Sequence, residues 1–349
     1  MTAGDAELAR ARYARVQAAM ARRGVGALLL AAPHLGALAS GARRVQVAGG
    51  GGSLPWVVVT AGAPAATVFT PDPDGAPPWM PRASVEPLRW DRDAHLRRIV
   101  ALVASTHGSV ACDVLSPPLR AALAPLDRPL VDAAPLLAEA RTPHSEGEVQ
   151  AITSALRAAR RGLAAAAAAV APGATPAALA ARFLATMTAA RAGFPLSEGL
   201  VWRSGARLTR LAPGDALHAG DVVALEFGLY VAGHAGVAGN TVACDGRDLS
   251  PSRRAWSKAL CVIAGRCRAG ATSADLREAA AEAGAGQAGL LAHGLGVGIE
   301  PPLIDLDGDD AEPLRAGTVL MLAPVVGGFR ATRALLVTEG AARWLEAAP

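Results

Sequence analysis

The stretch SGARLTRLAPGDALHAGDVVALEFGLY, residues 204–230, decides how the second half of the chain is interpreted. Its last part, Val222 to Leu229, is an apolar run of strand length that follows Gly220-Asp221, and it predicts a buried strand. Glu226 lies within this strand, in the sequence Leu-Glu-Phe-Gly. The segments on both sides of the strand show which kind of domain it belongs to.

Helices and strands come in blocks around this segment. A long alanine-rich helix is predicted over 148–170, where Pro172-Gly173 ends it, and Thr175-Pro176 supplies the cap and first residue of another helix. The pattern then predicts strands at 199–203 and 241–244, helices at 252–268 and 273–283, and strands at 319–324 and 334–338. This block order is typical of an α+β domain, here residues 141–349.

The first 140 residues follow a different order, in which strands and helices alternate. Apolar residues at helical spacing predict a helix over 7–22, and Gly24 marks its end. Strands are predicted at 25–31, 56–60, 66–69 and 109–113, with a helix at 96–104. This alternation predicts an α/β domain over residues 1–140. The run Gly49–Gly52 does not match the spacing of phosphate-binding glycine motifs and is interpreted as a hairpin or loop.

Composition argues against several classes of function. Hydrophobic residues make up 52% and charged residues 18%, which allows a large core. The net charge of +4 comes from scattered arginines, and aromatic residues are only 4%, so no nucleic-acid surface is predicted. The longest apolar runs fall well short of the roughly 20 residues that span a bilayer, and the N-terminus lacks the pattern of a signal peptide. Four cysteines without a CxxC pair favour a reducing, cytoplasmic location.

Six segments of the second half carry a more specific signal. They are RTPHSEGEVQAI (141–152), APGATPAALAARF (171–183), the 204–230 segment, AHGLGVGIEPPL (292–303), LRAGTVLMLAPVV (314–326) and GFRATRALLVTEGAARWL (328–345). In this order and spacing they resemble the motifs of the pita-bread metallopeptidases, the family of Xaa-Pro dipeptidases (prolidases), aminopeptidase P and creatinase. The resemblance implies an α+β pita-bread domain and a homodimer. RARYARVQAAMARRGVGALLL (10–30) is similar to the start of the creatinase-type N-terminal domain.

In its peptidase members this family holds two divalent ions between two aspartates, one histidine and two glutamates. Matched position by position, the resemblance places these ligands at Glu226, Val237, His293, Ala323 and Thr332. A carboxylate and the imidazole survive, whereas the other three positions lack a strong ligand. Two dications need several anionic oxygens to balance their charge. We therefore predict a divergent member with no dinuclear metal site and no bound cofactor.

Two further histidines of the family, which are not metal ligands, are also replaced. One falls at Ile299 or Glu300, in the sequence VGIEPP, and the other falls near Thr209. His218 lies just before Gly220-Asp221, which is too late in the chain for the second role.

The remaining polar residues suggest two alternative sites. Glu226 and His293, which the resemblance places in one cleft, are candidates for an acid/base or ligand-binding pair. His234 and Glu300 are added as candidates because these four side chains are acceptable ligands for a single zinc ion. Such a site would make one divalent metal ion the alternative to no cofactor.

Two arginines flank the position of the last family glutamate. Arg330 and Arg333 lie on either side of Thr332, and a guanidinium there would supply positive charge and bind a carboxylate. These three residues are predicted to contact a ligand.

Three functions are compatible with these residues. The first is a ligand- or partner-binding protein, inactive as a metallopeptidase, whose ligand is a small molecule or a short peptide. The second is a metal-independent hydrolase of C–N bonds, as the resemblance to creatinase implies, with a histidine as acid/base. The third is an Xaa-Pro dipeptidase with a single metal ion.

Overall fold

A computed structural model of the chain describes residues 3–42, 54–71, 73–89, 91–189, 195–197, 199–286, 289–308 and 312–347. The run Gly49–Gly52 lies outside these ranges. The chain divides into two compact units, Met1–Arg141 and Thr142–Pro349. Each unit has its own sheets and its own core, so the two are described separately.

The first unit alternates strands and helices. Its elements are α1 (Ala3–Arg22), β1 (Val25–Leu30), α2 (Pro33–Ser40), β2 (Val57–Thr60), β3 (Thr67–Thr70), β4 (Val85–Pro87), α3 (Arg92–Ala104), β5 (Ser109–Cys112), α4 (Pro117–Leu123), β6 (Leu130–Asp132) and α5 (Ala134–Arg141). Short 3-10 turns occur at Pro73–Gly75, Arg82–Ser84 and Ala124–Leu126.

One mixed sheet organises the first unit, with the strand order β4-β3-β2-β1-β5-β6. Strand β1 is central and buried along its whole length, which is why the sequence Val-Gly-Ala-Leu-Leu-Leu is continuously apolar rather than alternating. It pairs antiparallel with β2 and parallel with β5. Gly24, with φ +62°, takes the left-handed conformation that ends α1 and lets the chain enter β1.

The second unit begins with two helices and continues in strands broken by another helix pair. Its elements are α6 (Glu146–Ala167), α7 (Pro176–Ala189), β7 (Leu200–Arg203), β8 (Thr209–Arg210), β9 (Val222–Val231), β10 (His234–Ala243), α8 (Ser250–Arg266), α9 (Ser273–Glu282), β11 (Leu290–Leu295), β12 (Ile299–Asp305), β13 (Val319–Leu322), β14 (Val325–Val326), β15 (Phe329–Arg330), β16 (Arg333–Leu336) and β17 (Arg343–Trp344).

Two larger sheets and one short hairpin hold the strands of this unit. The strand orders are β10-β9-β7-β8 in one sheet and β12-β11-β13-β16-β17 in the other, and β14 pairs with β15. One core joins α6 and α7 to the first sheet through Leu163, Phe183 and Phe227. The rings of Phe183 and Phe227 are stacked, with their centres 4.9 Å apart. Another joins α8 and α9 to the second sheet around Trp256 and Phe329. Each sheet is thus covered by its own helix pair.

Helix α6 lies directly against β10 because the strand has no side chain at the point of contact. A Cβ atom at Gly236 would lie 2.3 Å from the backbone of Ala155 in α6, so only glycine fits there. The buried face of α6 carries Val149, Ile152 and Leu156, which are spaced at three and four residues as an amphipathic helix requires. This contact fixes the hairpin of β9 and β10, which carries Glu226.

The N-terminus of α6 has a reciprocal cap. The Ser145 hydroxyl oxygen accepts a hydrogen bond from the Glu148 amide, and the Glu148 carboxylate accepts one from the Ser145 amide at 2.9 Å. We expect Ser145→Ala to lower the free energy of unfolding by about 1 kcal/mol, since one amide of the first turn loses its partner. Urea denaturation measures this loss. Ser154→Ala, on the exposed side of the same helix, is the control and should change stability by less than half as much; equal losses would contradict the capping role.

Three strands extend beyond the sequence prediction or were missed by it. Strand β10 covers 234–243, although the sequence predicted only 241–244, and residues 292–303, for which no strand was predicted, form most of β11 and β12. The strand β12 tolerates Pro301 and Pro302 because it lies at the sheet edge and because its pairing with β11 is irregular there, between the pairs Gly294–Glu300 and His293–Leu303. Among the described helices, none is both long and apolar enough to cross a membrane. The four cysteines are free thiols.

Candidate functional site

The centre of the candidate site is an ion pair between Glu226 on β9 and Arg330 on β15. Arg330 Nη2 donates to Glu226 Oε2 at 2.9 Å, and the two side chains are only 14% and 15% exposed. Arg330 Nη1 also donates to the Ala323 carbonyl at 2.8 Å. The guanidinium carbon lies 5.4 Å from the centre of the Trp202 ring, a cation–π distance. The single carboxylate of the site is therefore already neutralised by a fixed cation.

The hairpin of β9 and β10 brings the other positions close to this pair. Glu226 lies opposite Gly239, and Val237 lies opposite Gly228, so Glu226 and Val237 project from the same face of the ladder. Gly239 in turn donates its amide to the Thr332 hydroxyl at 2.8 Å. Positions 226, 237 and 332 therefore lie in one neighbourhood.

At three of the five positions the side chain has another structural role. Val237 is buried in an apolar cluster with Leu295, Met321 and others. Ala323 is buried and has only a methyl group, while its carbonyl accepts from Arg330. Thr332 is completely buried, and its hydroxyl oxygen is the hydrogen-bond acceptor for Gly239. None of these three side chains offers an anionic oxygen.

His293 lies within strand β11 and is 4% exposed. Its ring donates from Nδ1 to the Gly294 carbonyl at 2.9 Å, since a carbonyl can only accept, and the neutral ring therefore has its lone pair at Nε2. Burial lowers the pKa of His293. The hydrogen bond to Gly294 and the charge of the Glu226 carboxylate oppose this shift, and the charge of Arg330 adds to it. His293 is a neutral imidazole beside a neutralised carboxylate.

The lowered pKa of His293 predicts how the stability of the protein depends on pH. The pKa of folded His293 lies below the value of about 6.5 for the unfolded chain. As pH falls below about 6.5, the imidazole therefore binds a proton in the unfolded state before it does so in the folded state. The folded state is then less stable relative to the unfolded state than it is above that pH. We expect His293→Gln to reduce the slope of unfolding free energy against pH between about 7 and 5.5, by at most about 1.4 kcal/mol per pH unit.

The control for this measurement is His107→Gln, because His107 is an exposed histidine. Urea denaturation at a series of pH values gives the slopes. If His293→Gln kept the wild-type slope while remaining folded, the buried neutral imidazole would be refuted.

The other two acid/base candidates lie in different surroundings. Glu300 is buried on β12, where its Oε1 accepts from the Val297 amide at 2.9 Å and its Oε2 lies 4.0 Å from His144 Nε2. Burial raises the pKa of Tyr230, and the charge of Glu300 raises it further. His234 is buried at the start of β10 and pairs with Val231, five residues along the strand from the position opposite Glu226. That separation is roughly 16 Å.

The two predicted arginines lie on successive strands, β15 and β16, and face different sides of the segment 329–333. Arg330 points to Glu226, whereas Arg333 lines a cleft together with Phe329 and Ala331. Alternation along an extended segment accounts for this, since 329, 331 and 333 share one side and 330 and 332 the other. Of the three residues predicted to contact a ligand, Arg330 lies beside Glu226 and is partly accessible. Thr332 is fully buried, and Arg333 lies in the other cleft.

Two residues near the pair were not predicted from the sequence. Trp202 on β7 is half-buried, and the guanidinium carbon of Arg210 on β8 lies 5.7 Å from its ring centre. Arg210 also donates to the Gly199 carbonyl at 3.0 Å. The sequence indicates only that Trp202 projects from one face of its strand, because side chains alternate along a strand. It does not specify which cation approaches the ring.

The donor set does not fit a dinuclear metal centre. Among the residues that the structure describes, no group of three or more histidine, cysteine, aspartate or glutamate side chains could hold a metal ion. Two dications would find one imidazole and one carboxylate, and that carboxylate already binds Arg330. Such ions need several carboxylate oxygens, so the local chemistry disagrees with the family's ligand set.

The fold of the second unit has two larger sheets, each covered by a pair of helices. Glu226 lies on the β9–β10 hairpin and the buried His293 lies on β11. This arrangement is that of the pita-bread class of proteins. The chain belongs to metallopeptidase family M24, whose sequence profile matches residues 150–344. No curated protein matches the chain.

Solved structures with a similar fold cover nearly the whole chain. Dipeptidase PepE from Mycobacterium ulcerans is 22% identical with a TM-score of 0.74, over 99% of this chain and 97% of that one. X-Pro aminopeptidase from Thermotoga maritima is 18% identical with a TM-score of 0.75, over 97% and 98%. Xaa-Pro dipeptidase from Bacillus anthracis is 17% identical with a TM-score of 0.72, over 98% of each chain. The predicted fold class, an α/β N-terminal domain and a pita-bread C-terminal domain, is confirmed.

Proposed function

We propose that this chain is a ligand- or partner-binding member of its family that does not act as a dinuclear metallopeptidase. The observation that carries the proposal is the ion pair between Glu226 and Arg330. Glu226 is the one carboxylate at the five family ligand positions, and it is already bound to Arg330. Val237, Ala323 and Thr332 supply no other anion.

Charge balance is the physical reason. Glu226 and Arg330 sum to zero, and His293 is neutral above about pH 6.5 because burial lowers its pKa. A site without net negative charge does not attract dications, and burying them there would cost several kcal/mol for each ion. No divalent metal is therefore needed in the proposed function.

The proposed ligand is a small molecule or a short peptide with a carboxylate. Arg330 and Arg210 both approach Trp202, so an anionic group at this point would meet two guanidiniums and an aromatic surface. Leu303, which lies opposite His293 in the β11–β12 ladder, is 53% exposed and offers an apolar contact. A homodimer and a cytoplasmic location, taken from the family resemblance and the cysteine content, complete the proposal.

Catalysis is tested with the purified full-length chain and Xaa-Pro dipeptides, with and without added manganese or cobalt. We expect no turnover above the enzyme-free blank, and no stoichiometric metal by elemental analysis. Metal-dependent turnover that His293→Ala abolishes would instead establish a mononuclear Xaa-Pro dipeptidase. Turnover without metal, also abolished by His293→Ala, would establish the creatinase-like alternative.

Ligand binding is tested with Ala-Pro and its C-terminally amidated analogue in calorimetry or thermal shift. Ala-Pro should bind and the amide should bind more weakly, since only the free carboxylate pairs with the guanidiniums. Arg210→Gln should weaken Ala-Pro by about tenfold, whereas Arg207→Gln, an exposed neighbour, should not. Equal affinities of the two peptides would argue against recognition of a carboxylate at Arg210 and Arg330.

A further inference from the structure

A second concave surface lies between helices α6 and α8, on the side of 329–333 away from Glu226. It is a cleft of about 370 Å³ that includes Arg160, Asn240, Arg253, Ser257, Phe329 and Arg333 in its lining. This volume is within the range of about 300–1,000 Å³ that is usual for small-molecule sites. Phe329 and Arg333 project into it, whereas Arg330 and Thr332 point to the other side.

Three arginines meet in this cleft, and its lining includes no aspartate or glutamate in the part of the chain that the structure describes. Arg160 is already neutralised, because its Nε and Nη2 donate to the two oxygens of Glu346 at 2.7 and 2.8 Å. It also donates to the Gly239 and Thr332 carbonyls, which fixes its position. Arg160 therefore forms part of the wall rather than a free cation.

The other two arginines retain their charge. Within the described ranges, neither Arg253 nor Arg333 forms an ion pair with a carboxylate. Arg333 Nη1 donates to the Thr332 carbonyl at 2.8 Å, and its guanidinium carbon lies 5.7 Å from the centre of the Trp256 ring. Burial lowers the pKa of Arg333, the positive charges of Arg160 and Arg253 lower it further, and the negative charge of Glu346 opposes them. The repulsion among these groups is a free-energy cost that a bound anion would offset.

The remaining lining residues suit an anion with an organic part. Asn240 and Ser257 are neutral groups that can donate hydrogen bonds to an anionic oxygen. Ala164 and Ala167 give the cleft an accessible apolar side, with the buried Leu163 and Phe329 beneath it. Two guanidiniums that carry no carboxylate match the charge of a dianion better than that of a single carboxylate, and planar guanidinium groups bind phosphate oxygens in pairs.

We propose that the cleft between α6 and α8 binds a phosphate monoester, with Arg253 and Arg333 contacting the phosphate group and the apolar side contacting its organic part. Inorganic phosphate shares this chemistry and is distinguished from an organic monoester by the experiment. The site is separate from the Glu226–Arg330 pair and does not depend on the function proposed for that pair.

Isothermal titration calorimetry on the full-length chain tests this proposal with phenyl phosphate, inorganic phosphate and phenol. We expect saturable binding of phenyl phosphate at one site, no binding of phenol, and weaker binding as salt rises. Tighter binding of phenyl phosphate than of inorganic phosphate identifies an organic monoester, and equal binding identifies free phosphate. Arg253→Gln and Arg333→Gln should each weaken binding by about tenfold or more, as expected for a lost charged hydrogen bond.

The matched control is Arg254→Gln, since Arg254 is an exposed neighbour on α8 that does not line the cleft. It should change the affinity less than twofold. Arg253 is also exposed, so its variant remains informative if Arg333→Gln fails to fold. The absence of saturable binding to the wild-type chain at millimolar phenyl phosphate, or an equal loss in Arg254→Gln and Arg253→Gln, would overturn the proposal.

Discussion

Replacing Arg330 by alanine is expected to lower the free energy of unfolding by about 3 kcal/mol, because it leaves Glu226 as an unpaired carboxylate that is only 15% exposed. The substitution also removes the hydrogen bond to the Ala323 carbonyl and the contact with Trp202. Urea denaturation gives the loss, and hydrogen exchange of peptides from 222–243 shows whether it is centred on the hairpin.

Two further variants show whether the loss of stability comes from the broken ion pair. Arg210→Ala removes the other guanidinium beside Trp202, but Arg210 is exposed, so the expected loss is within about 0.5 kcal/mol. The double variant Arg330→Met with Glu226→Gln removes both charges and should be more stable than Arg330→Ala, because no buried charge is left unpaired. If Arg330→Ala cost no more than Arg210→Ala, the ion pair would not stabilise the site.

The fold was predictable where the hydrophobic pattern is strong. The apolar run of β1 and the periodic face of α6 each specify one kind of element, and the order of six motifs specified the pita-bread unit. The strands β10 and β11 were harder to predict because Gly236, Gly239 and Gly294 weaken any local preference for a strand. Their conformation is imposed by α6 and by neighbouring strands, which are contacts that no local pattern encodes.

The candidate site was predictable only in part for a related reason. Motif spacing indicated positions 226 and 293, and the structure places Glu226 and His293 in one electrostatic environment. Spacing did not reveal that Arg330 would pair with Glu226, since that pairing joins residues 104 positions apart. It also did not separate Arg330 from Arg333, although a period of two along the extended segment 329–333 would have assigned them to opposite sides.

The strongest test of the charge argument is to restore the family's ligand set. The variant carrying Glu226→Asp, Val237→Asp, Ala323→Glu and Thr332→Glu gains three negative charges around His293 and Arg330. Without metal it should be much less stable than the wild-type chain, because the new carboxylates are buried and repel one another. With manganese or cobalt at about 100 times the dissociation constant, binding should return about 2.7 kcal/mol of stability.

Thermal unfolding with and without metal measures this difference, and the wild-type chain should show no metal-dependent rise because its single carboxylate is bound to Arg330. The matched control keeps Glu226→Asp and carries Val237→Asn, Ala323→Gln and Thr332→Gln, whose amides have nearly the same size as the acidic side chains but no charge. It should be destabilised without responding to metal, since neutral amides do not balance a dication. A rise for the wild-type chain as large as that for the acidic variant would mean that the existing residues bind divalent ions, and the proposed loss of the metal site would be wrong.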